Sequence, residues 1–257
     1  TRDLLVIDAR AQGYADAHIP GAVHLDYGEL RSENGIKPAG ELAVRLGAAG
    51  LGNETTVIIY DAGRTSRGAA GWFFWMLEYV GCKDVRVLNG GFDKWVAEKR
   101  ATDTRTSEKR SARFTATRNP AVLARLDQVV ECSQDGGRLL IDTRGDAAFN
   151  GWPLEGAARG GHKPGARNID FAWFYGKDKT ILAAAQIEAL LDSRGITPDK
   201  EVIVYGSTGL RSGFVYFVMR LMGYSHIANY DGSAVQWSAR KDLPMQKLPR
   251  YEKLVYA

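Results

Sequence analysis

The chain has 257 residues, 45% apolar and 25% charged, the balance of a globular protein and not of a disordered chain, a coiled coil or a disulfide-built miniprotein. Its 34 lysines and arginines against 30 acidic residues leave a net charge of +4, and the basic residues are scattered among carboxylates, which speaks against nucleic acid as a partner and leaves small anions compatible. Cys82 and Cys132 show no zinc-ligand spacing, no metal or cofactor is implied, and the longest apolar run, Gly71 to Leu77, is far short of the ~20 residues of a membrane span.

In chain order, Leu4-Leu5-Val6-Ile7 predicts a strand running into Asp8 and Arg10. His18 then precedes a Pro20-Gly21 turn, where a structural hydrogen bond is the expected role. Glu41 to Leu46 reads as a helix. Val57-Ile58-Ile59-Tyr60 is β-branched without polar alternation, as in a strand covered on both faces. Trp72-Phe73-Phe74-Trp75 has the density of a buried helix. Cys82 falls in a turn after it, and Asn89-Gly90-Gly91 leads to Trp95. Residues 98–120, charged and almost without large apolar side chains, read as an exposed linker.

After the linker the pattern returns. Leu139-Leu140-Ile141-Asp142-Thr143-Arg144 repeats Leu5 to Arg10, and His162-Lys163-Pro164-Gly165-Ala166 repeats His18 to Ala22. Val202 to Tyr205 repeats Val57 to Tyr60, after a helical stretch from Gln186 to Leu191. Asp231-Gly232-Ser233 leads to Trp237. Four matches in one order at nearly one spacing mark a duplicated domain of about 125 residues. The copies are 1–97 and 121–257, joined by the 98–120 linker, and the stretch from Asp142 to His162 is twice that from Asp8 to His18. Alternating strand and helix signals predict two α/β domains, each a central, mostly parallel sheet of about five strands flanked by helices. Arg64 and Arg211 are expected on loops at the carboxyl ends of central strands. Asp8 with Arg10 and Asp142 with Arg144 read as buried ion pairs or caps, and both cysteines as small buried residues.

Asp-x-Arg, Tyr14-x-x-x-His18-Ile19-Pro20-Gly21-Ala22 and the Gly-Gly-x-x-x-Trp ending resemble the rhodanese family of sulfurtransferases, across nearly the whole chain and twice, as in tandem thiosulfate and 3-mercaptopyruvate sulfurtransferases. The second copy is looser, with Lys163 in an apolar slot and Ala234 and Gln236 where Trp and Glu are usual. The resemblance places the chemistry in a Cys-x-x-Gly-x-Arg loop that opens a helix, where backbone N–H groups and the helix N-terminus lower a thiol's pKa and cradle its persulfide. Here that loop is Gly206-Ser207-Thr208-Gly209-Leu210-Arg211, with Gly206 at the cysteine position, and Asp61 holds the equivalent place in the first copy. Asp142, Arg144 and His162 are its supporting residues.

The resemblance therefore implies copies without the catalytic cysteine, as in the leading copies of multi-domain bacterial rhodaneses, with a catalytic rhodanese domain elsewhere in a parent chain as partner. Two alternatives are an active sulfurtransferase using a relocated or unseen cysteine, and an oxyanion-binding module that holds thiosulfate or a similar ion at Arg211. A start at Thr1 and a sequence running on from Pro244 to Tyr256 are read as a piece of a larger or processed protein. Exported relatives favour the periplasm over the cytoplasm.

Overall fold

The computed structural model describes residues 3–32, 35–107, 111–135 and 138–248. Lys109 and Arg110 of the expected linker, and the end of the chain from residue 249, lie outside them. The chain divides into two compact units, Thr1–Val122 with Tyr175–Leu182, and Leu123–Phe174 with Ala183–Ala257.

In the first unit, β1 (Leu4–Asp8), β2 (Val23–His24), the small hairpin β3 (Arg31–Ser32) and β4 (Gly35–Ile36), α1 (Ala39–Ala48), β5 (Thr56–Tyr60), α2 (Ala69–Tyr79), β6 (Val85–Val87) and α3 (Gly91–Ala97) follow in order. The second unit repeats the scheme with α4 (Leu126–Asp135), β7 (Leu139–Asp142), α5 (Asp146–Asn150), β8 (Arg167–Asn168), α6 (Ala184–Asp192), β9 (Val202–Tyr205), α7 (Leu210–Leu221), β10 (Ile227–Asn229) and α8 (Ser233–Ala239). The sheets run β2-β1-β5-β6 and β10-β9-β7-β8, all parallel, so the same winding occurs twice. Among the described residues each sheet has four strands where the sequence suggested about five; in the second unit a fifth is reduced to one parallel bridge from Leu123 to Asn229.

All four residues of β9 are buried, as expected of a strand without polar alternation. In α2 the aromatic cluster is core: Trp72, Phe73 and Trp75 are fully buried, and Trp75 Nε1 donates to the Val122 carbonyl at 2.7 Å. In each unit the strand-to-helix loops emerge at the carboxyl edge of its own parallel sheet.

Two sequence expectations are corrected. The described residues of the 98–120 segment, 98–107 and 111–120, form no free linker but are laid along the first unit. Asp103 and His18 exchange two backbone hydrogen bonds of 2.9 Å, Ala112 N–H bonds the Gly47 carbonyl at 2.8 Å and Thr117 N–H that of Val80 at 2.9 Å, while Phe114 is buried. Main-chain bonds to helix ends hold it, and side-chain composition carries no sign of them. The second copy is also not continuous from 121, since Tyr175–Leu182 belongs to the first unit, with Lys179 Nζ 2.8 Å from Asp93.

Lys163 fills the slot that Ile19 fills against Tyr60 in the first unit. Its Nζ lies 3.1 Å from the Tyr205 ring centre, 5.1 Å from that of Tyr230 and 5.3 Å from that of Trp237. The amine is fully buried and has no hydrogen-bond partner among the described residues. Burial pushes it well below the usual lysine range, while the ring faces offset part of the desolvation. Lys163→Ile is expected to stabilise the protein by about 1–2 kcal/mol at pH 7 in chemical denaturation. Because the folded-state pKa lies below the unfolded one, the lysine's cost is full at low pH and fades as pH rises toward 10.5, so the gain shrinks in alkali. An isoleucine variant less stable than the parent would show that the rings more than offset the burial.

Candidate functional site

The loop after β9 is clamped before it reaches its helix. Thr143 N–H bonds the Tyr205 carbonyl at 2.8 Å, holding the end of β9 to β7. Gly206 N–H donates to Ser233 Oγ at 3.1 Å, and the Gly206 and Ser207 carbonyls accept from Ala234 and Val235 at 2.9 and 3.1 Å. Gly209 then turns with φ +96°, and a Cβ there would lie 2.0 Å from Asp231 Oδ1, so only glycine fits. Leu210 and Arg211 open α7, and Ser212 Oγ donates back to the Gly209 carbonyl at 3.0 Å.

Gly206 is different. Its backbone lies outside the left-handed region, and a Cβ would meet Thr143 Oγ1 at 3.1 Å and Ser212 N at 3.5 Å. A side chain fits there with a shift of a few tenths of an ångström. That position adjoins the start of α7, whose Ser212 N and Arg211 Cβ a Cβ there would meet at 3.5 Å.

Arg211 is partnered, and its partner has no motif in the sequence. Its Nη1 donates to Glu155 Oε2 at 2.6 Å and its Nη2 lies 2.5 Å from Glu155 Oε1, a two-pronged pair, while Ser207 Oγ donates to the same carboxylate. Arg211 Cζ also lies 5.0 Å from the Phe171 ring centre. Glu155 belongs to the segment between Asp142 and His162, so the length difference between the copies was the one available signal. Thr143 and Ser233, which touch the Gly206 position, carried none.

The supporting residues are structural. Asp142 and Arg144 form a two-pronged pair, with Nη2 to Oδ2 at 2.6 Å, both side chains almost wholly buried, and Arg144 also donates to the Gly161 carbonyl at 2.7 Å. His162 stacks on Phe149 with ring centres 3.7 Å apart and its Nδ1 2.8 Å from the Phe149 carbonyl; burial lowers its pKa. His18 does the same on Tyr14, so Phe149 is the counterpart of Tyr14 in the second copy. Each ring staples a turn through its stack and its Nδ1 contact.

In the first unit the loop after β5 supplies its own anion. Asp61 Oδ1 accepts from Gly63 N–H at 2.7 Å and Oδ2 from Ala70 N–H at 3.0 Å, at the start of α2. Burial raises its pKa to about 6 against those two donors, with Asp8 and Asp93 adding repulsion. Arg64 lies exposed on the same turn. Among the described residues no cluster of three or more potential metal ligands forms, and no helix is long and apolar enough to cross a membrane.

Residues 1–98 and 126–240 each match the rhodanese-like domain. The chain is 34% identical to the sulfur carrier protein TtuD of Thermus thermophilus, over 95% of this chain and 90% of that protein. It is 32% identical to a thiosulfate sulfurtransferase of Pseudomonas aeruginosa, over 95% and 91%. A 3-mercaptopyruvate sulfurtransferase of Escherichia coli is 28% identical over 95% and 92%. Among solved structures it superposes on the anaerobic ergothioneine biosynthesis enzyme from Chlorobium limicola with a TM-score of 0.89 at 25% identity, covering 96% of this chain and 65% of that one. The chain thus spans slightly less than two thirds of that enzyme.

Asp61 is expected to titrate near pH 6 in carboxyl-detected NMR. With its folded pKa above the unfolded 3.8, its contribution to stability is fully present below pH 3.8 and is lost as pH rises through about 6. Asp61→Asn should remove that slope from the stability profile. A carboxyl titrating at or below 3.8 would show that the two N–H donors outweigh burial.

Proposed function

The chain belongs to the rhodanese-like family of sulfurtransferases, and from that membership we propose that its two copies are the non-catalytic part of a multi-domain sulfurtransferase. They would serve a catalytic rhodanese domain elsewhere in the parent chain as scaffold or docking surface. The observation that carries this reading is Gly206: the loop around it is built and clamped, would take a Cβ only if Thr143 Oγ1 shifts by a few tenths of an ångström, and offers no thiolate at the position that the family resemblance assigns to the nucleophile. Asp61 at the equivalent place is a carboxylate already engaged by two N–H groups. Resemblance to exported multi-copy rhodaneses favours the periplasm over the cytoplasm as its compartment.

A relocated nucleophile is disfavoured by distance. Cys82 follows α2, whose 11 residues put about 16 Å of helix between it and the Asp61 loop. Its thiol is pushed up to about 12 by burial, which leaves it protonated and unreactive at neutral pH. Cys132 is buried in α4, with Sγ 3.1 Å from the Arg138 carbonyl, at the edge of the sheet opposite to Gly206. One observation favours a second reading, an oxyanion-binding loop: Arg211 already grips a carboxylate with two prongs. Thiosulfate, named in the relative from Pseudomonas aeruginosa, is the natural candidate ligand.

The deciding experiment is mass spectrometry after exposure to thiosulfate. The parent chain is expected to gain nothing. Gly206→Cys is expected to gain one sulfur atom: its thiolate attacks the sulfane sulfur, the sulfur–sulfur bond of thiosulfate breaks, and sulfite leaves with the bonding electrons. Rescue of turnover should be partial, because Ala234 and Gln236 depart from the family's usual residues beside the loop. Sulfur gained by the parent chain and abolished by replacing Cys82 or Cys132 would overturn the non-catalytic reading.

A further inference from the structure

The extra chain between Asp142 and His162 forms a strap with a riveted returning limb and a tip whose charged anchor is Glu155. Its base is pinched shut: a Cβ on Gly160 would lie 1.7 Å from the Gly151 carbonyl oxygen, so the two limbs touch main chain to main chain. The returning limb is fixed by Arg159, which donates to the carbonyls of Ser238, Arg240 and Leu243 at 2.9, 2.6 and 3.0 Å, and by Ala158 N–H on Ser238 Oγ at 2.9 Å. The tip leaves Trp152 and Leu154 partly exposed, at 36% and 40%, and turns through left-handed Glu155 and Gly156 at φ 58° and 83°. Glu155 gives that tip its charged anchor, on Arg211 and Ser207.

Both copies therefore set one carboxylate against the loop that opens the central helix, by unrelated routes. The first does so with Asp61 from within the loop, and has no strap. The second has glycine at that place, and a strap delivers Glu155 from 56 residues away in sequence. We propose that the 151–160 strap is a latch, with Glu155 as an internal carboxylate that holds Arg211 against external oxyanions and must swing away before one binds. The inference rests on the oxyanion reading of the Arg211 loop. A carboxylate tethered this closely acts at an effective concentration in the millimolar range or above, so an external anion sees only the fraction of molecules whose latch is open.

The test is calorimetric titration with sodium thiosulfate at constant ionic strength, on the parent, Glu155→Gln and Glu155→Ala, with melting curves to verify folding. Both variants are expected to bind about tenfold or more tightly than the parent, the reciprocal of an open fraction of about a tenth or less. Adding Arg211→Ala to either should abolish the gain. Hydrogen exchange at 152–157 should quicken in both variants, and in the parent at high thiosulfate relative to a matched chloride control; this parent measurement stands even if the variants fold poorly. Equal affinity in parent and variants, or exchange at 152–157 indifferent to thiosulfate that binds, overturns the latch and leaves the oxyanion reading intact. No binding to any of the folded proteins overturns the oxyanion reading, and the latch with it.

Discussion

At the carboxyl end of the first strand of each sheet, an aspartate and the arginine two residues on close on one another in the interior. Asp8 receives Arg10 at 2.6 Å and Asp142 receives Arg144 at 2.6 Å. Each arginine then reaches across to a carbonyl at the histidine turn, Ala17 or Gly161. Asp8 also accepts from the Tyr60 hydroxyl at 2.7 Å, and Tyr60 in turn accepts from Ile19 N–H at 3.1 Å. Strand, histidine turn and the strand that carries the loop are thereby fastened at one buried point. Removing one partner would leave a charge stranded in the core, at a cost of about 3–5 kcal/mol. The loops at this edge inherit their position from that fastening.

Given such a frame, a helix start facing inward from a parallel sheet is a positive end that must be satisfied. The first copy answers that demand with Asp61, and the second sets a carboxylate of different origin on side chains of its loop. Asp61 lies inside its loop and is buried so far that its proton is held to about pH 6. Glu155 arrives from a strap, stays partly exposed, and engages a guanidinium and a hydroxyl in place of backbone N–H groups. A carboxylate on a buried loop is committed to it; one on a strap tip is exchangeable. That asymmetry, together with a glycine at position 206 where the first loop has Asp61, sets the two loops apart.

The second copy also tolerates what the first does not. Its histidine turn carries Lys163 where the first carries Ile19, and three aromatic rings surround the amine, which has no hydrogen bond among the described residues. Phe149 replaces Tyr14 beneath the histidine, keeping the stack and the Nδ1 contact while giving up the hydroxyl that Tyr14 sets 2.8 Å from the Ala22 carbonyl. The turn keeps its geometry because stacking and a backbone acceptor define it, and either aromatic ring supplies both.

The sequence alone determined the duplication, the parallel α/β class, the edge on which the loops lie and the absence of a thiol at position 206. Each follows from local pattern: unalternated β-branched runs, a repeated Asp-x-Arg, glycines before a helix. Tertiary structure alone decided where Glu155 goes, that the described residues of the 98–120 segment lie along the first unit, that Tyr175–Leu182 joins that unit, and what surrounds Lys163. A glutamate in an irregular strap has no periodicity to betray its target. Hydrogen bonds from main chain to helix ends leave no mark in side-chain composition. A lysine in an apolar slot signals only a conflict, and the rings that resolve it converge from β9, the turn after β10 and α8, which come together only when the sheet is wound.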